Sequence, residues 1–527
     1  MSSPDLQLAA AAVDLAQQVV DRAVAHLAGL ASLDDEQVVA YEVAHAAAAV
    51  NTAHQMVAYG EKGPEEAALA AAYVADTVHD LMQKILGLEM EWGVARGALD
   101  GALPFVATHR DPEFVATLAR TEGARHLDSD FEMVQDAFRS FAENEIRPRA
   151  EHVHRTNADL PEEIIEGLAA MGGFGLSVPS EYGGGSEGGE EEYLAMVVAT
   201  EELSRGSLGI GGSLITRPEI LTRALVKGGT EEQKKTWLPR IADGEIMAAI
   251  AVTEPDFGSD VAGVKVTATP KDGGWAINGT KTWCTFAARA DVLMLLARTD
   301  PDRAQGHRGL SVFIVPKPRG DGHGFQFTQD EGGRMEGRAI DTIGYRGMHS
   351  YEVAFEDWWV PNENLIGEEE GQGRGFYLQM EGFENGRLQT AARAVGVMQA
   401  AYEAAREYAD ERVVFGQPIA EYQLTQAKLG RMAFLTQAAR QSMYHVARLM
   451  GRGDGGLEAS MVKAYVCRAA EWVTREAMQI HGGFGYAEEY AVSRYFVDAR
   501  VLSIFEGADE TLALKVIIRR LIERQKA

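Results

Sequence analysis

A chain of 527 residues exceeds what one hydrophobic core usually organises, so roughly two to four structural units are expected. Its formal charge of −28 repels phosphate backbones and anionic headgroups, which disfavours broad nucleic-acid or membrane-surface binding. Cys284 and Cys467 are the only cysteines, too few for a disulfide framework and unsuited by spacing to a metal pair, so a reducing cytoplasm is the expected home.

The amino terminus carries Ser, Pro and Asp in place of a basic region, and Asp14 and Asp21 interrupt the apolar stretch behind it, so no signal peptide is expected. No window reaches the eighteen or so uninterrupted apolar residues of a membrane-spanning helix, and the chain is expected to be soluble. Apolar residues at three- and four-residue intervals from Leu8 through Ala12, Leu15, Val19, Ala23, Leu27 and Leu30 predict a helix. Ser32 reads as the N-cap of a second, through Val39, Val43, Val50 and Val57, and Pro64 as the first residue of a third, through Leu69, Tyr73, Leu81 and Ile85. Residues 1–125 therefore read as an Ala-rich helical bundle in front of the rest.

Helical periodicity continues over 126–246, broken by a Gly-rich loop after Pro179 that lacks a phosphate-cradling register and reads as a connection. Over 247–365 the texture turns to short β runs at Val264 to Ala268, Trp275 to Asn278, Val292 to Leu296 and Leu310 to Val315, with Asn278-Gly279 as a turn signal. With no helices between them, these runs predict a compact antiparallel sheet or barrel. Long helices return over 366–527. The fold class is α+β multidomain: a helical domain, a central β domain and a C-terminal four-helix bundle, with the extra bundle in front.

Four local patterns carry chemistry. In Ala251-Val-Thr-Glu-Pro-Asp-Phe-Gly-Ser-Asp260, hydroxyls around a glycine suit the polar edge of a planar heterocycle, though an ordinary turn explains them too. Lys281-Thr-Trp-Cys-Thr285 offers an indole and a hydroxyl, with a core Trp as the plainer explanation. Gln479-Ile-His-Gly-Gly-Phe-Gly-Tyr486 lets a large ligand approach the main chain, or simply ends a helix. In Ile504-Phe-Glu-Gly-Ala-Asp-Glu-Thr511, Phe505 and Gly507 flank Glu506 in a setting that can desolvate a carboxylate and raise its pKa, whereas a lone loop Glu is usually solvated.

T-E-P-x-x-G-S-D, K-T-W-x-T, R-x-x-F-G at Arg412 to Gly416, Q-x-x-G-G-x-G-Y and the final E-G occur in an order that resembles the acyl-CoA dehydrogenases, over about three quarters of the chain. The resemblance implies FAD shared across a subunit boundary of a homotetramer or homodimer. Val252, Thr253, Ser259, Trp283 and Thr285 are then expected at the flavin, and Arg412, Phe415, Gln479 and Gly483 at the adenosine-diphosphate half from a neighbouring subunit. A guanidinium suits pyrophosphate because its forked donors match paired oxygens. Glu506 is the expected base, taking the α-proton of an acyl thioester while flavin N5 accepts the β-hydride. Branched-chain relatives place their base before an interior Arg, but Gly386 stands before Arg387 here. Where the family often has Thr and Gln after the final E-G, this chain has Ala508 and Glu510.

The leading bundle, with Ser213-Leu-Ile-Thr-Arg-Pro-Glu219 and Ile343-Gly-Tyr-Arg-Gly-Met-His-Ser350, narrows the resemblance towards oxidation of (2S)-methylsuccinyl-CoA to mesaconyl-CoA in the ethylmalonyl-CoA pathway. Its free carboxylate calls for a cation, with Arg217 and Arg346 as candidates and Arg387 as a further substrate residue; a surface or interface role is the plainer explanation for Arg217 and Arg346. Electrons are expected to pass to an electron-transfer flavoprotein. The alternatives are a short branched-chain acyl-CoA dehydrogenase, a flavin oxidase, and a DNA-binding alkylation-response member of the same fold, which needs a basic face. His45, His54, His79, His152 and His154 form no ligand spacing, so no metal is expected.

Overall fold

The computed structural model describes residues 4–320, 322–330 and 332–526. Met1–Met133 and Thr390–Ala527 form one compact unit, and Val134–Gln389 the other.

The first unit opens with three helices, α1 (Leu6–Ala28), α2 (Gln37–Gly60) and α3 (Pro64–Ile85). Asp5 starts α1 by accepting hydrogen bonds from the N–H groups of Gln7 and Leu8, and Pro64 takes the first turn of α3, where its missing N–H is not needed. The buried face of α1 begins at Ala9, leaving Leu8 exposed. Ser32 caps a single 3-10 turn, Leu33–Asp35, so α2 starts only at Gln37. α2 is buried on most sides because it lies against α1 and α3 and against the helices Gln423–Gly451 and Gly456–Ile480. Thr52 Oγ1 donates to Ser442 Oγ at 3.2 Å, and Gln437 Nε2 to Tyr59 Oη at 2.8 Å, fixing that packing.

The second unit is built on β1 (Ala248–Ala251), β2 (Thr267–Lys271), β3 (Gly274–Thr285), β4 (Val292–Arg298), β5 (Leu310–Pro316), β6 (Gly324–Thr328), β7 (Arg334–Ile340) and β8 (Ser350–Pro361). They form one sheet in the order β1-β4-β2-β3-β8-β7-β6, with β5 paired to β4. Most pairs are antiparallel, but β1 runs parallel to β4. Successive residues of β4 alternate between two cores: Leu293, Leu295 and Ala297 face one, Val292, Met294 and Leu296 the other. That two-sided burial explains an uninterrupted apolar run where a half-exposed strand would alternate. No helix among the described residues is long and apolar enough to cross a membrane.

Asn278-Gly279 makes no turn. It lies inside β3, where Asn278 faces Glu356 and Asp357 together across a register shift against β8. The Asn278 side chain donates to Asp357 Oδ1 and accepts from Asp357 N–H, each at 2.9 Å. Gly279 keeps the positive φ, +125°, that marks Asn-Gly as a turn signal, but the extra residue of the bulge lies on β8, where Asp357 has φ +47°. The expected runs at Trp275, Val292 and Leu310 lie in β3, β4 and β5, the run at Val264 to Ala268 mostly precedes β2, which starts at Thr267, and β1, β6, β7 and β8 complete the sheet.

Candidate active site

In the second unit, β1 delivers Val252, buried, and Thr253, half-buried, to a tight turn closed by paired hydrogen bonds between Glu254 and Phe257. Ser259 is exposed at its far side. A second register shift, between Lys281 and Cys284, makes β3 bulge against β8. The bulge turns Trp283 outward with φ +57° and leaves it 54% exposed, whereas Thr285 is buried with its hydroxyl 3.0 Å from that of Ser350.

A fully buried lysine ties the turn to the bulge. Lys281 Nζ donates at 2.8 Å both to the Val252 carbonyl and to Glu254 Oε1. Glu254 also accepts the N–H groups of Lys265 and Val266, at 2.7 and 2.8 Å, and Thr282 N–H reaches the Thr253 carbonyl at 2.8 Å. Burial pushes Lys281 below its ordinary pKa, with the Glu254 carboxylate opposing. Neither Glu254 nor Lys281 stands out as a candidate in the sequence. Each is a single charge beside an apolar stretch, and two such charges are buried at low cost only as a pair.

Arg217 and Arg387 are both buried in this unit, on helices Thr216–Gly228 and Gly375–Glu411. Arg217 lies close enough to Cys284 for its charge to act on the thiol, which burial nonetheless pushes up to about 12. The two segments singled out in the sequence meet where Tyr345 donates to Ser213, and just before the first of them the Gly209 carbonyl accepts from Met348 N–H at 3.1 Å. Arg346 sends Nε to the Thr342 carbonyl and Nη1 to that of His154, both at 3.0 Å. Asp159, His323 and His349 each place a ligand-type atom within 4.8 Å of the others. Hydrogen bonds account for His349, which contacts Asp159 Oδ1 at 2.8 Å and Asn157 Oδ1 at 3.2 Å.

In the first unit, Val413–Val414 and Gln417–Pro418 form a two-residue hairpin whose turn, Phe415-Gly416, has φ of +51° and +89°. Phe415 at its tip is 96% exposed. Arg412 enters the hairpin with its guanidinium 5.9 Å from the Phe484 ring centre, and one turn earlier Tyr408 stacks on His481 at 4.2 Å. These contacts set Arg412 against the turn Gly482–Tyr486, which follows the helix that carries exposed Gln479. A Cβ added at Gly482 or Gly483 would meet nothing within 4 Å.

Glu506, also in this unit, is half-buried with φ +53°, followed by Gly507 at +100°. Lys463 Nζ donates to the Gly507 carbonyl at 2.6 Å, and Asp509 N–H closes back on the Ser503 carbonyl at 3.1 Å. Buried Arg393 lies 5.3 Å from the Phe505 ring centre. Trp283, Phe415 and Glu506 thus share a left-handed backbone that side-chain-bearing residues rarely adopt.

The donor sets fit a flavin dinucleotide. One unit offers hydroxyls and an outward indole for a planar heterocycle; the other offers an exposed guanidinium, aromatic rings and open glycine backbone for a diphosphate and adenine.

Residues 128–245, 249–358 and 373–522 match, respectively, the N-terminal, middle and C-terminal domains of acyl-CoA dehydrogenase. The chain is 39% identical over 419 residues to (2S)-methylsuccinyl-CoA dehydrogenase of Cereibacter sphaeroides, covering 79% of this chain and 73% of that protein. It is 36% identical over 405 residues to mitochondrial 2-methylacyl-CoA dehydrogenase of Solanum tuberosum, covering 76% and 92%. The butyryl-CoA dehydrogenase structure from Megasphaera elsdenii aligns with a TM-score of 0.68 at 30% identity, over 75% of this chain and 99% of that one. Motif order, domain succession and sequence identity agree, and the chain belongs to the acyl-CoA dehydrogenase family, FAD-dependent oxidoreductases acting on CH–CH bonds.

Proposed function

We propose that the protein dehydrogenates a short branched acyl-CoA at its Cα–Cβ bond with Glu506 as base, and that the substrate is (2S)-methylsuccinyl-CoA, yielding mesaconyl-CoA. The observation that carries the base assignment is the backbone of Glu506, held left-handed ahead of a glycine whose carbonyl Lys463 grips. Such conformations persist where the surroundings over-determine them, and they gather at reactive sites. The interior-helix position offers no competing carboxylate, since Gly386 precedes Arg387.

Bound FAD supplies the acceptor for the β-hydride. The Glu506 carboxylate takes the α-proton, so two hydrogens leave adjacent carbons as proton and hydride and a C=C bond remains. We assign the Glu506 backbone N–H to the thioester oxygen, where negative charge develops; one such donor contributes about 3 kcal/mol. Val252, Thr253, Ser259, Trp283 and Thr285 are assigned to the flavin ring. Arg412, Phe415, Gln479 and Gly483 are assigned to the adenosine-diphosphate half held by a neighbouring subunit of a homotetramer or homodimer. The exposure of Phe415 supports this, because an apolar ring left in water forgoes its burial energy. Reoxidation falls to an electron-transfer flavoprotein, and the two unpaired, buried cysteines suit a reducing cytoplasm.

The methylsuccinyl carboxylate needs a cation in any enclosed site. Buried Arg217 and Arg387 are the groups assigned to it, with Arg346, which donates to two backbone carbonyls, as the third candidate. The relative bearing that substrate's name, at 39% identity, supports this choice. The test is anaerobic bleaching of the bound flavin. Methylsuccinyl-CoA should bleach far faster than butyryl-CoA or isobutyryl-CoA, and Glu506→Gln should stay yellow yet lose the reaction by orders of magnitude. Equal bleaching by simple acyl-CoAs overturns the substrate, and near-normal turnover of Glu506→Gln overturns the base.

A further inference from the structure

The leading helices reach the loop that carries Glu506. From α2, Tyr41 and His45 stand one helical turn apart and meet the same carboxylate oxygen of Asp509. Tyr41 Oη donates to Asp509 Oδ2 at 2.5 Å, and His45 Nε2 lies 3.2 Å from it. His45 and Asp509 are 6% and 9% exposed. The Tyr41 ring meets His45 edge-on at 4.5 Å, with the Arg468 guanidinium 5.8 Å from its centre. Burial pushes the Asp509 carboxyl up, but the bonds from His45 and Tyr41 outweigh this and hold it below its ordinary range. Asp509 is therefore an anion gripped by two groups of one helix.

That anion stands three residues after Glu506 and opens the last helical run of the chain, where a negative charge suits the exposed N–H groups. Its own N–H closes the loop onto Ser503, while Lys463 holds the Gly507 carbonyl. Packing alone does not require these polar partners. Ala44 and Ala48 continue the face of α2 that carries Tyr41 and His45, so the two polar side chains interrupt a stripe of alanines where they meet Asp509.

We propose that Tyr41 and His45 are positioning residues, which through Asp509 hold the Glu506 loop in the geometry that proton abstraction needs. The inference rests on Glu506 as the base, and it gives the leading helices a part in the reaction without contact with substrate.

The test uses full-length, FAD-loaded Tyr41→Phe, Asp509→Asn and the double variant; Tyr41→Phe deletes one hydroxyl and keeps the ring packing. Hydrogen–deuterium exchange of amides 503–511 should quicken about tenfold in each single variant, and flavin bleaching by methylsuccinyl-CoA should slow by a similar factor. FAD content and acyl-CoA affinity, read from the flavin spectrum, should change less than about twofold, a split that general destabilisation would not produce. The double variant should fall little further than either single one, because both cut the same contact. Unchanged exchange overturns the proposal. Faster exchange with undiminished bleaching overturns it too, and if Glu506→Gln is inactive alongside, the base assignment survives. Full activity of Glu506→Gln would instead remove the base, and with it the function given to the contacts of Tyr41 and His45 with Asp509.

Discussion

Lys281 and Glu254 form an ion pair 2.8 Å long in which the lysine is wholly buried and the glutamate 5% exposed. The pair joins the turn after Thr253 to the bulge that turns Trp283 outward. Removing one partner strands the other charge, which typically costs about 3–5 kcal/mol. Lys281→Met should therefore lower the urea midpoint strongly and reduce FAD content as purified. Adding Glu254→Gln should recover part of the stability, because no charge then remains buried. A single variant as stable as the wild type would mean the pair is dispensable.

Gly209 and Gly347 cross backbone to backbone. A Cβ on Gly209 would lie 2.0 Å from the Arg346 carbonyl oxygen, and one on Gly347, whose φ is +118°, would lie 2.8 Å from the Gly209 carbonyl. Main-chain atoms cannot swing aside as a flexible side chain can. Gly209→Ala should lose about 2–3 kcal/mol by thermal or urea unfolding. Gly185→Ala, where the nearest atom is 3.9 Å away, should lose much less.

The sequence carries a feature of this kind only when its cause is local. Periodic alanines and valines and a proline at position 64 were enough for the leading helices, and the apolar run at Val292 was enough for β4. The Asn278-Gly279 turn failed because the positive φ that a glycine permits is also used inside a strand, here at Gly279 opposite a bulge in β8. The outward pose of Trp283 depends on a register shift against β8, which no window around residue 283 contains. Motif order was enough to nominate the candidate site residues, but not Lys281, Glu254 or Asp509, whose partners are distant in the chain. Tyr41 and Asp509 are 468 residues apart, and nothing local to either marks the other.

Both thiols should be unreactive in the native state. Cys284 and Cys467 are buried, and burial pushes each up to about 12, so at pH 8 little of either is the nucleophilic thiolate. Ellman's reagent should titrate essentially neither thiol in folded protein and both in denaturant. Prompt native reaction of either would show that its surroundings open readily.

Acid should expose His45. Burial, the largest influence, pushes its pKa below the ordinary value near 6.5, against the pull of Asp509. The other charged or titratable neighbours facing it are Tyr41, Arg468 and Glu42. With the folded pKa depressed, the unfolded chain binds more protons below about 6.5, so stability rises with pH in that window. The His45 contribution is fully present above pH 6.5 and is lost as pH falls towards the folded pKa. Urea unfolding free energies measured between pH 7.5 and 5 should therefore fall more steeply for the wild type than for His45→Gln. The excess slope from one such group is at most about 1.4 kcal/mol per pH unit. In the wild type Asp509 and Tyr41 add little to this slope, since the carboxyl is held below its ordinary range and burial pushes the phenol above its own. Parallel curves would mean that folding does not depress the His45 pKa, and a wild-type curve falling less steeply than that of His45→Gln would mean that His45 keeps its proton in the folded protein and pairs with Asp509 as an ion.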